Sequence, residues 1–288
     1  MLSKHTKRVS IGFLIFVLGA LGGGMLFFKS KRASEQTSIS PAEPIKLSAY
    51  STIRSLGYAE ESGKDYRYSL AIPNDIDQRN LVPVVVYLHG AGGDENSELL
   101  SFTHYVEALI NECQGQQPLI VFPGNGNRLF QLDENYHLAE GILNDVAQNY
   151  AIAGVKERII VGFSLGGAAA TRTAILHPNR FSLSVSWAGG VWPKDTVLFD
   201  ATKNNREAFR QSDFKPYFFV GSKDAPKQYN PLWRIMDEYG VAYEKHVLKG
   251  QKHDLGLYLS KTREQFKALL CSNVAGKSTS PLVVNDAE

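Results

Sequence analysis

The sequence predicts an α/β fold, an open and mostly parallel sheet covered by helices. Three observations lead there. Short apolar runs alternate with longer amphipathic stretches along residues 49–271. Several of the short runs are continuous and rich in β-branched residues, Val82-Pro83-Val84-Val85-Val86 foremost, as in strands buried on both faces. No self-similarity at a period of 20–50 residues is visible, which argues against solenoids and propellers. Composition agrees. Of the 288 residues 43% are apolar and 21% charged, ordinary globular usage that speaks against collagen, long disorder and a polytopic membrane protein.

In chain order, the first element is the run 11–28, IGFLIFVLGALGGGMLFF, eighteen residues without a charge. As a helix it spans about 27 Å, enough for a hydrocarbon core of about 30 Å. Lys4, Lys7 and Arg8 precede it, and Lys29, Lys31 and Arg32 follow. A secretory signal has the same basic start, and Ala20-Leu21-Gly22 offers small residues at cleavage spacing. Met25-Leu26-Phe27-Phe28 carry the apolar run past that point and favour an uncleaved anchor. A core helix is excluded by the lack of any polar face. We therefore expect residues 1–32 to be a signal-anchor holding the chain to a membrane. The body behind it would face the periplasm or cell surface, and would be secreted if the segment is cleaved. Residues 33–48 are rich in Ser, Pro and Glu and read as a flexible tether; 272–288 read as a loose tail. The body is 49–271.

Net charge is +2, unevenly spread. Residues 1–48 hold seven Lys/Arg against two Asp/Glu, whereas the other 240 residues hold 24 against 27. The body thus gives no reason to expect a nucleic-acid partner. Two cysteines, Cys113 and Cys271, are too few for a disulfide framework or zinc cluster. One bridge in an oxidising compartment is open to them, but two small buried hydrophobes is the commoner reading.

Within the body, strands are expected at Arg67–Ile72, Val82–Leu88, Leu119–Phe122, Ile159–Gly162, Leu183–Trp187, Tyr217–Val220 and Tyr243–Leu248. Helices are expected near 98–112, 136–150, 165–176, 229–239 and 257–271. The long connection 188–214 is the expected cap or substrate loop. Phe130, Trp187, Trp192 and Trp233 are candidates for an apolar pocket, although such aromatics more often belong to the core. In open α/β sheets the chemistry collects at the carboxyl ends of the strands.

The decisive motif lies at one such end. Gly162-Phe163-Ser164-Leu165-Gly166-Gly167 closes the strand Ile159–Gly162 and opens the helix 165–176. A serine held in a sharp strand-to-helix turn needs small neighbours two residues either side, because the strained backbone brings adjacent elements close. The helix N-terminus behind Ser164 supplies unpaired N–H groups that favour an anion. A second motif, His89-Gly90-Ala91-Gly92-Gly93-Asp94, follows the strand Val82–Leu88. Its glycines let the Ala91 N–H point into a site, and with the Leu165 N–H this makes a two-donor oxyanion hole. The loop lacks both the Lys-Ser/Thr ending of a Walker loop and the Gly-x-Gly-x-x-Gly fingerprint, so a nucleotide site is disfavoured.

With the Leu88-His89-Gly90 loop, the Gly-x-Ser-x-Gly-Gly elbow and the lead-in Asn144-Asp145-Val146…Tyr150-Ala151-Ile152…Arg158-Ile159, the chain resembles the α/β-hydrolase superfamily. More narrowly it is similar to the secreted esterases that include feruloyl and acetylxylan esterases and polyhydroxybutyrate depolymerases. The resemblance covers roughly residues 60–260 and is strongest at the elbow. It implies an α/β-hydrolase fold and the chain order nucleophile, acid, base. Asp224 then fits the acid, in the loop after Tyr217–Val220; Asp213 lies before that strand, and Asp195 and Asp200 sit between two strands. His253 fits the base, after Tyr243–Leu248 and before the last helix. His246 sits within a strand, His177 ends the serine's helix, and His104 and His137 precede the acid. The expected activity is cleavage of a small-molecule or polymer-borne carboxylic ester through Ser164, Asp224 and His253, with no cofactor and no metal. Peptidase and acyltransferase chemistry use the same groups. A catalytically silent, membrane-tethered binding protein is the alternative from another class, against which the three intact residues argue.

Overall fold

The computed structural model describes residues 48–59, 65–76, 81–124, 141–146, 155–212 and 214–274. All of them belong to the second of two compact units, Ile45–Glu288. Eight strands form one sheet: β1 (Tyr50–Ala59), β2 (Asp65–Pro73), β3 (Val82–Leu88), β4 (Leu119–Gly124), β5 (Val155–Phe163), β6 (Leu183–Trp187), β7 (Pro216–Gly221) and β8 (Glu244–Leu248). Their spatial order is β1-β2-β4-β3-β5-β6-β7-β8. β1 and β2 run antiparallel to their neighbours, and every pairing from β4 to β8 is parallel. The helices are α1 (Leu99–Cys113), α2 (141–146), α3 (Leu165–Leu176), α4 (Thr196–Asn204), α5 (Arg206–Gln211), α6 (Asn230–Tyr239), α7 (Leu255–Lys261) and α8 (Arg263–Val274).

The apolar runs place the core on both faces because strand side chains alternate. Val84 and Val86, Val121, Ile160, Phe218 and Val220 face one layer with Ile142, Ala170, Leu198, Leu232 and Met236. Val85 and Tyr87, Ile120, Phe122, Val161 and Phe219 face the other, with Phe102, Val106 and Leu109 of α1 and Phe266 and Leu270 of α8. Each Val, Leu, Ile, Phe or Met among them contributes about 1.5–3 kcal/mol when fully buried. β6 alternates serine with apolar residues, yet all five positions are buried. Ser184 and Ser186 face α3, whose Gly167 and Ala170 allow close approach; Ser184 Oγ donates to the Ala170 carbonyl at 3.5 Å. α3 is therefore a central helix, buried from Gly166 to Ile175.

The structure departs from the sequence expectations in five places. β1 was not expected, because its alternation is broken at Ser55, which has φ +53° where the register shifts between Ile53 and Leu56. The single helix expected over 257–271 is two. They meet at Thr262, whose buried hydroxyl accepts the Trp187 indole N–H at 3.0 Å and donates to the Tyr258 carbonyl. The connection 188–214, for which no helix was expected, holds α4 and α5, and Asp195 caps α4 by accepting the Leu198 N–H. α8 runs on to the buried Val274, past the expected start of the tail. Finally, Cys113 and Cys271 are not two buried hydrophobes. α1 and α8 pack side by side, which brings their Cα atoms to 6.3 Å, and the two form a disulfide.

Of the helix expected near 136–150, residues 141–146 are described and helical. Among the described residues no helix is long and apolar enough to cross a membrane; the anchor expected at 11–28 lies outside them. So do Phe130, His137 and Asp213.

Candidate active site

Ser164 sits where β5 turns into α3, with φ 56° and ψ −121°, a conformation that costs about 1–3 kcal/mol and persists only when its surroundings demand it. They do. Its N–H donates to the Trp187 carbonyl at 2.8 Å, tying the turn to β6. A β-carbon at Gly166 would lie 1.9 Å from the Leu88 carbonyl oxygen, and one at Gly162 would lie 2.3 Å from that of Gly166. The glycines flanking the serine are thus required by packing, as the motif predicts.

Two further loops meet Ser164 at the same edge of the sheet. After β7 the chain turns sharply, the Asp224 N–H donating to the Gly221 carbonyl at 2.9 Å. After β8, Ser222 N–H donates to Leu248 O and Lys223 N–H to Gln251 O, which joins the two loops backbone to backbone. His253 is thereby brought between Asp224 and Ser164. Its Nδ1 lies 3.0 and 2.9 Å from the two Asp224 carboxylate oxygens, and its Nε2 lies 2.8 Å from Ser164 Oγ. A carboxylate only accepts, so Nδ1 carries the proton and Nε2 accepts from the serine hydroxyl. The Phe163 ring packs 4.8 Å from the imidazole. The three residues singled out in the sequence are brought together, although 89 positions separate the serine from the histidine.

Leu165 is the first residue of α3, where a backbone N–H has no acceptor within the helix. Ala91 follows β3 beside it: a β-carbon at Gly90 would be 3.6 Å from that of Ser164. The loop is shaped by His89, buried, whose Nδ1 donates to the Gly90 carbonyl at 2.7 Å. Burial holds its imidazole below the usual histidine range. The residues that follow the loop are held from the other side by β1 and β2. Ser55 Oγ donates to Glu95 and accepts from Asn96 Nδ2, and Ser69 Oγ donates to Asn96 Oδ1.

The remaining candidates have other work. His246 stacks on Phe219 with ring centroids 5.0 Å apart. His177 caps α3. Asp195 pairs with Arg172, and Asp200 with Lys203. Trp187 and Trp233 belong to the core, whereas Trp192 is 42% exposed. Tyr258 escaped the sequence reading. Its hydroxyl donates to Asp224 Oδ2 at 2.9 Å, and no spacing rule marks a tyrosine on the helix after the base. Among the described residues no group of three His, Cys, Asp or Glu side chains is arranged to hold a metal ion.

Residues 59–253 match the model of the Esterase family, described as "Putative esterase". Among curated proteins no relative matches. Solved structures of similar fold include a ferulic acid esterase, with TM-score 0.62 at 16% identity over 78% of this chain and 99% of that one. An S-formylglutathione hydrolase from Agrobacterium tumefaciens has TM-score 0.61 at 14% identity, over 80% and 97% of the two chains. The siderophore hydrolase EstB from Aspergillus nidulans has 0.60 at 14%, over 81% and 98%.

Proposed function

The chain belongs to the Esterase family, and on that premise we propose that it cleaves carboxylic esters with Ser164 as nucleophile, His253 as general base and Asp224 as the acid that orients it. Its family and its α/β fold are shown, so the proposal concerns which residues act and how. The observation that carries it is the 2.8 Å contact from His253 Nε2 to Ser164 Oγ with Nδ1 held by Asp224. In the proposed reaction Nε2 takes the hydroxyl proton as Oγ attacks the ester carbonyl carbon. The resulting oxyanion is met by the N–H groups of Leu165 and Ala91. The imidazolium then gives its proton to the departing alkoxide as the C–O bond breaks, leaving an acyl-enzyme on Ser164. Water, deprotonated by the same nitrogen, hydrolyses it. A fluorophosphonate probe tests this directly: it should label wild-type protein at Ser164 and leave Ser164→Ala unlabelled. Labelling elsewhere, or none, rejects the assignment.

We propose further that residues 11–28 anchor the chain and that the body works outside the cytoplasm. Two features support this: the eighteen-residue apolar run with its basic flanks, and the Cys113–Cys271 bridge, which persists in oxidising compartments. Full-length protein should stay with membranes through alkaline carbonate and yield to detergent. A soluble form beginning near Gly23 would show cleavage instead.

A further inference from the structure

Tyr258 lies on α7 five residues after His253, with none of its surface exposed. Its hydroxyl is used twice. It donates to Asp224 Oδ2 at 2.9 Å and accepts the N–H of Gly221, the last residue of β7, at 2.5 Å. Gly221 is part of the fit, since a β-carbon there would come within 2.7 Å of the same hydroxyl. The Tyr258 ring packs 6.0 Å from Phe163, which in turn packs on His253. Burial first, and then the adjoining Asp224 carboxylate, holds the phenol far above the ordinary tyrosine range. A carboxylate only accepts, so the phenol is the donor in this bond.

We infer that Tyr258 is a positioning residue: it fixes the rotation of the Asp224 carboxylate and shares its negative charge, and so sets how firmly Asp224 holds a proton on His253. The inference rests on Ser164, His253 and Asp224 acting as proposed above. Oδ2 takes hydrogen bonds from both the phenol and the imidazole. With the phenol gone, the carboxylate is free to rotate and its charge falls undivided on the imidazole. His253 then keeps an added proton to higher pH and is less well aimed at Ser164. Tyr258 is fully covered and reaches no substrate, so binding should be spared. Among the described residues Tyr229 also faces Asp224 and Tyr258; it is buried, bonded to Ser186, and pushed up to about 12 by burial. Of the charged side chains on the flanking loops, Asp254 is engaged with the Leu257 N–H, while Lys223 and Lys252 are exposed. None of these changes in the variants below.

The test is Tyr258→Phe in the full chain, assayed as kcat and KM for p-nitrophenyl acetate across pH. We expect kcat to fall about ten- to a hundredfold, as when a partner that orients a metal-ligating side chain is removed, with KM within about twofold. The acid limb of kcat/KM should move to higher pH. 3-Fluorotyrosine at position 258 keeps the packing but strengthens the donor, and should move that limb to lower pH. In an Asp224→Asn background, Tyr258→Phe should cost little further, because its effect passes through the carboxylate. Unchanged kcat and an unmoved limb in Tyr258→Phe overturn the inference, as does fluorotyrosine shifting the limb upward or not at all. Should Tyr258→Phe fail to fold, the fluorotyrosine result alone decides. Absence of fluorophosphonate labelling at Ser164 in the wild type would instead reject the triad reading, and this inference with it.

Discussion

Arg172 Nε donates to Asp195 Oδ2 at 3.0 Å, in the interior, with the two side chains only 3% and 6% exposed. Arg172 stands on α3, the helix that follows Ser164, and the other Asp195 oxygen caps α4. The pair therefore fastens the segment after β6 to the nucleophile helix. Asp195→Ala removes this buried ion pair and the cap of α4 together. It should cost about 3–5 kcal/mol of stability, read from urea unfolding. A loss below about 1 kcal/mol would show that this pair does not fasten α4 to α3.

His253→Ala should reduce turnover about as far as Ser164→Ala, by at least about ten-thousandfold, and the double variant should be scarcely worse than either, because the two groups act as a unit. His246→Ala should stay within a few-fold of wild type, since that ring packs on Phe219 away from Ser164. A kinetic comparison of the four variants and the wild type with one p-nitrophenyl ester decides. The reverse ranking of the two histidines would remove His253 from the base role.

Gly166→Ala should be far more damaging than a one-carbon change suggests. The added methyl group falls on the Leu88 carbonyl, and both partners are backbone, so β3 and the elbow must separate. The expected result is loss of fluorophosphonate labelling together with a lower melting temperature. Full labelling in this variant would show that the elbow has more room than its geometry allows.

Cys113 and Cys271 close a loop across 158 positions, joining α1 to α8. Cys113→Ser, Cys271→Ser and the double variant should each lose about 2–4 kcal/mol, to the same extent, because each removes the same bridge. Reductant should lower the melting temperature of the wild type and leave the double variant unmoved. Activity of the folded variants should persist, since neither cysteine takes part in the hydrogen bonds linking Ser164, His253 and Asp224.

β3 and β4 could be read in the sequence because burial on both faces writes a continuous apolar run, and a short apolar run between polar stretches has few other uses. β1 was illegible for the opposite reason. It is an edge strand whose alternation slips at Ser55, so half of its residues change face without any change in composition. The break at Thr262 was hidden too, because what interrupts the helix there is an indole 75 positions away. Nor does any local pattern pair Cys113 with Cys271, whose proximity follows from α1 and α8 lying together.

At the site, Ser164 and its glycines were determined by the sequence itself, because a strained strand-to-helix turn restricts its residues locally. Asp224 and His253 needed more: spacing and chain order narrowed each to one candidate. Only the folded backbone, with Lys223 bound to Gln251 and Ser222 to Leu248, brings that aspartate and that histidine into contact. Tyr258 belongs wholly to the tertiary structure. A tyrosine on a short helix carries no sequence mark of its partner, and its bond to Asp224 exists because α7 packs beneath the loop that follows β7. Local stereochemistry is written in neighbouring residues, whereas contacts between distant ones arise from how the elements pack.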